Sequence, residues 1–113
     1  MSFETQIVNG HLAIKKVIPP KTVHLTELYL NEDLNLTGLT AADSGSYYAI
    51  QSVTRLINVN LPIAPPHGFM ITIINRGTTY EIATMRDGNP IYNIAVGDSL
   101  TLVYGTTFGY YFV

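Results

Sequence analysis

Three histidines, eight acidic residues and a few scattered serines are the side chains of this 113-residue sequence that could do chemistry. His11, His24 and His67 stand far apart. They make no HxH or HExxH pattern, and no EF-hand loop is present. A zinc or cupin-type iron site needs several imidazoles and carboxylates converging from neighbouring strands. The closest pair is His24 and Glu27, and three residues apart on a strand they point to opposite faces. Glu32 and Asp33 are adjacent, so their carboxylates diverge or stand in a solvated loop, unlike a glycosidase pair. No serine sits in a nucleophile elbow, and Ser44-Gly45-Ser46 reads as a loop. The glycines from Gly105 to Gly109 lie between strands, not ahead of a helix that would cradle phosphate. The reading is a chain that is not an enzyme and takes no metal or cofactor.

Tyrosine is the other feature. There are eight tyrosines and no tryptophan, with pairs at Tyr47-Tyr48 and Tyr110-Tyr111. An aromatic ring with a hydroxyl suits either a subunit interface or a sugar. Neighbouring tyrosines on a strand place one ring in the core and the other at a rim or interface, which is the preferred reading. The closing residues Phe108, Tyr110, Tyr111, Phe112 and Val113 carry too much apolar surface to leave in water. Strand alternation puts Phe108, Tyr110 and Phe112 on one face and Tyr111 and Val113 on the other. One face is expected to fill the core and the other to meet a sister subunit.

The elements that must position these residues are strands. Runs rich in Ile, Val, Thr, Tyr and Phe cover 4–8, 12–18, 22–30, 46–54, 56–61, 69–75, 80–85, 91–95, 99–104 and 108–113. Gly, Pro, Asn and Asp punctuate them about every ten residues, which is the pattern of a sandwich or barrel. Leu56 to Leu61 alternates cleanly, with Ile57, Val59 and Leu61 opposed to Asn58 and Asn60. Phe69 to Asn75 is apolar on both faces and reads as a central strand covered on both sides. Asp87-Gly88 is a tight hairpin turn, and Asn75-Arg76-Gly77 a turn whose glycine is free to take positive φ. Pro62 to Gly68 reads as a rigid crossover between sheets. Thr40 to Ser44 offers one helical turn or an ordinary loop. Gly68–Tyr80 and Gly97–Phe108 echo each other, as any two hairpins do.

Charge is sparse. Charged residues make up 12% of the chain, about half the usual ~25%. A small domain with so little surface charge tends to associate. The net charge of −2 gives no reason to expect nucleic acid or an anionic membrane as partner. From Ser44 to Asn75 the only charge is Arg55, so this stretch is expected to be covered by its own sheet or by a partner. There is no cysteine, no apolar run near the ~20 residues of a membrane span, and no secretion signal in the first ten residues. Residues 1–21 differ from the rest: Asn9-Gly10 fits a hairpin turn, Pro19-Pro20 stops a strand, and Lys15, Lys16 and Lys21 cluster. They read as an N-terminal arm or edge hairpin ahead of a β-domain over 22–113.

Gly68, Ile71–Asn75, Gly77, Ile94, Gly97–Tyr104 and the aromatic strand Phe108–Val113 together resemble the closing β-module of tailed-bacteriophage appendage and head-fibre proteins. The last strand carries Phe108 and Tyr110 where such modules often carry Trp. The resemblance implies an all-β, jelly-roll or Greek-key sandwich that forms a homotrimer in the virion, made in the host cytoplasm. With no coiled-coil or collagen-like shaft, it implies a small capsid-decoration, cement or head-fibre protein that binds the major capsid protein or another virion protein. Residues 1–21 would then bind the shell, with Lys15, Lys16 and Lys21 facing acidic capsid surface. Tyr47, Tyr48 and the closing aromatic strand would meet sister subunits. The alternative is a tail-appendage module that binds a receptor or host-surface glycan through Tyr47, Tyr48, Tyr110 and Tyr111.

Overall fold

Short β-rich runs divided by turn residues leave the chain little choice but strands, and every expected run carries one in the computed structural model. The structure describes residues 22–113 throughout, and ahead of them the backbone of β1 (Ser2–Val8) and β2 (His11–Val17). β1 and β2 pair antiparallel with Val8 opposite His11. The strands that follow are β3 (Leu25–Leu30), β4 (Leu34–Asn35), β5 (Ser46–Ser52), β6 (Ile57–Asn60), β7 (Met70–Asn75) and β8 (Ile82–Arg86). β9 (Asn89–Ile94), β10 (Ser99–Gly105) and β11 (Gly109–Phe112) complete the chain.

Strands β3 to β11 form two packed sheets. One is five-stranded in the order β11-β10-β7-β5-β3, and the other is four-stranded in the order β4-β6-β8-β9. From β3 to β8 the chain alternates between the sheets, and each strand pairs in parallel with the one two places on. Leu34 lies opposite Val59, Ser46 opposite Ile71 and Ile57 opposite Ile82, each 25 residues further along. This is a short coil of β-rungs. The expected all-β sandwich is present, but its connections differ from the Greek key of a jelly roll, which joins antiparallel strands. Only at the C-terminal end do antiparallel hairpins close the stack, β8–β9 on one sheet and β10–β11 on the other.

Stacked rungs align their inward side chains in rows. The inward rows hold Ile50, Ile57, Val59, Leu61, Phe69, Ile71, Ile73, Ile82 and Leu102, all fully buried or nearly so. Branched aliphatics suit this position because they fill a pleated surface without losing much rotamer freedom. Fully burying each side chain contributes roughly 1.5–3 kcal/mol.

Polar residues hold the crossings. Asn75 is fully buried. Its Nδ2 donates to the carbonyls of Tyr80 and Ile94, each at 3.0 Å, and its Oδ1 accepts from Gly77 N–H at 2.9 Å. It satisfies the backbone of the β7–β8 crossing, which leaves the ladder there. Gly77 does not take positive φ, contrary to expectation. Its reason is space, since a Cβ there would lie 3.0 Å from Asn75 Oδ1. Thr84 is also fully buried. Its Oγ1 donates to Tyr92 O at 2.8 Å and accepts from Tyr92 N–H at 3.1 Å, beside the register shift between Thr84 and Met85. The hydroxyl replaces ladder bonds that the bulge breaks. At the other end, Asp33 Oδ1 accepts from Asn58 N–H at 2.8 Å and from Arg55 Nη1 at 3.2 Å, joining the first rung to the second.

Other expectations resolve in detail. Asp87 (φ 50°) and Gly88 (φ 76°) both take positive φ, as a type I′ hairpin turn requires. Ala41–Asp43 forms a 3₁₀ turn, with Asp43 Oδ2 accepting from Thr40 N–H at 2.7 Å. The echoing segments Gly68–Tyr80 and Gly97–Phe108 prove to be neighbours. Their strands β7 and β10 pair antiparallel, and the hydroxyls of Thr72 and Thr101 meet at 2.9 Å. β4 was not legible as a strand, because two residues carry no alternation.

Candidate interaction surfaces

Each sheet has one face in the core and one turned away from it, and the two outer faces differ in chemistry. The outer row of the four-stranded sheet carries Asn35, Asn58, Asn60 and Asn93, with Ala83 and Met85 between them. The outer row of the five-stranded sheet carries Leu25 and Tyr29 on β3, Tyr47 and Ala49 on β5, Met70 and Ile74 on β7, Val103 on β10 and Tyr111 on β11, with the polar Gln51, Thr72, Ser99 and Thr101 among them. The registers run these side by side: Tyr111 faces Val103, Val103 faces Met70, and Tyr47 faces Leu25. Leu25 is 51% exposed, Met70 40% and Tyr111 46%. The only charge on these outward positions of the strands is Glu27 on β3. β7 is thus central, as expected, but it is sealed on one face only. Its inner face meets the second sheet, while on its outer face Thr72 is buried between neighbouring strands and Met70 is exposed.

The interface candidates divide between the two faces. Tyr47 and Tyr111 point outward, with the Tyr111 ring lying over Gly105, where a Cβ would come within 2.9 Å of it. Val113 follows them at the margin, its N–H donating to Thr101 O at 2.9 Å. Tyr48 and Tyr110 turn inward. Tyr48 packs against the core. Tyr110 is buried, donates its hydroxyl to Pro62 O at 2.8 Å, and meets Tyr104 edge-on with centroids 5.0 Å apart. Burial pushes the phenols of both Tyr48 and Tyr110 above the ordinary tyrosine range. The four tyrosines therefore form no single platform.

Phe108 and Phe112 depart from expectation. Phe108 falls in the β10–β11 turn, 79% exposed, rather than on the core face with Tyr110. Phe112 does share the side of Tyr110, yet it reaches past the end of the core. It is 61% exposed and meets Tyr92 of the opposite sheet in a T-shaped contact at 5.0 Å. Lys15 and Lys16 stand on β2, whose side chains lie outside the described residues, as does Lys21.

A second surface lies where the two closing hairpins meet. Ile63, Arg86, Asp87, Asn89, Tyr92 and Phe108 are among the residues lining a cleft of about 460 Å³. Arg86 is held rigidly there. Its Nε donates to Ile63 O at 2.7 Å, its Nη2 donates to Tyr104 Oη at 2.9 Å, and its guanidinium lies 5.1 Å from the centroid of the Tyr104 ring. The sequence reading missed Arg86, Asp87 and Asn89 as possible site residues. The Asp87-Gly88 turn was the available signal, but nothing showed that it lies beside the β10–β11 turn.

Among the described residues, no three His, Asp or Glu side chains gather as metal ligands, and no buried side-chain polar atom lacks a partner. No protein-family model matches the chain, and no curated protein matches it either.

Proposed function

We propose that this chain is a non-catalytic structural protein of a bacteriophage virion, a capsid-decoration, cement or head-fibre subunit that works as a homotrimer. One observation carries the reading. A rigid β-stack presents a broad outer face with a single carboxylate and with leucine, methionine and tyrosine partly open to water. A monomeric domain rarely leaves so many large apolar side chains uncovered on one face. Aromatic residues and Met, with charge depleted, are the composition of interface cores. Tyr47, Tyr111 and Val113 are the contacts on this face, with Leu25 and Met70 beside them. The asparagine-rich opposite face is the solvent side.

The N-terminal hairpin is the capsid-binding arm in this reading, with Lys15, Lys16 and Lys21 against acidic shell protein. Co-sedimentation tests it, using the full chain and a version lacking residues 2–20, each mixed with capsids stripped of the protein. The full chain is expected to pellet with capsids and the shortened one to stay in solution. Equal pelleting of both would remove the arm from the account.

A further inference from the structure

We propose that the cleft between the Asp87-Gly88 turn and the β10–β11 turn binds a neutral pyranose sugar. It shares no residue with the apolar outer face, so this inference stands or falls apart from the assembly reading. Arg86 provides the first argument. Two of its donors and its ring contact are spent on Ile63, Tyr104 Oη and the Tyr104 ring. Nη1 has no acceptor among the described residues. The guanidinium cannot swing away, so Nη1 is a donor fixed in place. No carboxylate pairs with it directly, since the only ion pair among the described residues joins Arg55 to Asp33.

The wall beside it supplies acceptors. Asp87 is set by its positive-φ turn position. Asn89 donates Nδ2 to Asp87 O at 3.3 Å, which leaves its Oδ1 uncommitted. A fixed guanidinium, a carboxylate and a carboxamide oxygen lining one cleft suit a ligand rich in hydroxyls, each of which donates and accepts. Arg86 and Asp87 together make the cleft neutral, which disfavours a free anion. Phe108 supplies the last part. Its ring is 79% exposed on the rim, with no structural need that explains the exposure. A flat apolar ring beside convergent polar groups suits the C–H face of a pyranose.

Amide chemical-shift titration of the full chain tests this, with methyl α-glucopyranoside, methyl α-galactopyranoside and methyl α-mannopyranoside as probes. Sodium glucuronate and sodium acetate are the charged controls. At least one neutral glycoside is expected to give saturable shifts at residues 86–92 and 106–111, with affinity in the millimolar range expected of a shallow monosaccharide site. Phe108→Ala and Asp87→Asn are each expected to weaken it about tenfold. Neither disturbs the fold, because Phe108 is exposed and Asn tolerates positive φ. No saturable shift at the cleft from any of the three glycosides would overturn the proposal. So would stronger binding of glucuronate or acetate, which would mark an anion site, or unchanged affinity in both variants.

Discussion

Single polar side chains do the work that ladder hydrogen bonds cannot do where this chain crosses between sheets. Asn75 serves three backbone groups at once from a fully buried position. Asn75→Ala leaves them unpaired, at about 1–3 kcal/mol for a buried group. The expected loss is about 3 kcal/mol, read as a lower urea midpoint with an unchanged slope. Asp33 is the exposed counterpart. The Asn58 N–H, and after it Arg55, holds its carboxyl below the ordinary carboxylate range. A carboxyl whose folded pKa is depressed stabilises the fold above its unfolded pKa and loses that contribution as pH falls through the folded value. Because the pair is exposed, the effect is under about 1 kcal/mol. Asp33→Asn is therefore expected to be slightly less stable than the parent at neutral pH. The gap should close as pH falls below the ordinary carboxylate range, as followed by urea unfolding across that range.

Hairpins and rungs are set by different kinds of information. The Asp87-Gly88 turn, the clean alternation of 56–61 and the apolar run 69–75 were legible because turn chemistry and period-two patterning act within a few residues. The parallel stacking was not. It depends on a 25-residue offset that survives in sequence only as traces such as Leu34-Asn35-Leu36 and Val59-Asn60-Leu61, on successive rungs of the same sheet. Strand patterns do not say whether neighbours run parallel or antiparallel, so a Greek key was an equally good account of them. The C-terminal hairpin shows the same limit. Alternation placed Tyr110 and Tyr111 on opposite faces, as observed, but the turn claimed Phe108 and the core ended before Phe112. Gly109 ties that hairpin to its neighbour. It has φ 84°, and a Cβ there would come within 2.8 Å of Arg86 Nη1, whose side chain two hydrogen bonds hold still. Gly109→Ala is expected to cost about 1–3 kcal/mol, measured by urea denaturation, while Gly38→Ala, where a Cβ meets open space, should cost far less.

The molecule as a whole is two-sided, rich in asparagine on one outer face and in aromatic and aliphatic side chains, with Glu27 the single charge, on the other. Low charge was legible in composition, and it pointed to association. Which side would be apolar was not, because it needs the strand order that brings Leu25, Tyr47, Met70, Val103 and Tyr111 onto one sheet. Sedimentation equilibrium of the full chain at neutral pH tests the central claim, that this face joins copies of the chain. The account predicts a mass of three chains, falling to that of one in the variant with Met70→Glu and Tyr111→Glu. Both substitutions fall on exposed positions, so the monomer should keep its β circular-dichroism spectrum. A parent chain that sediments as a monomer at every concentration, or a variant that associates as the parent does, would contradict it.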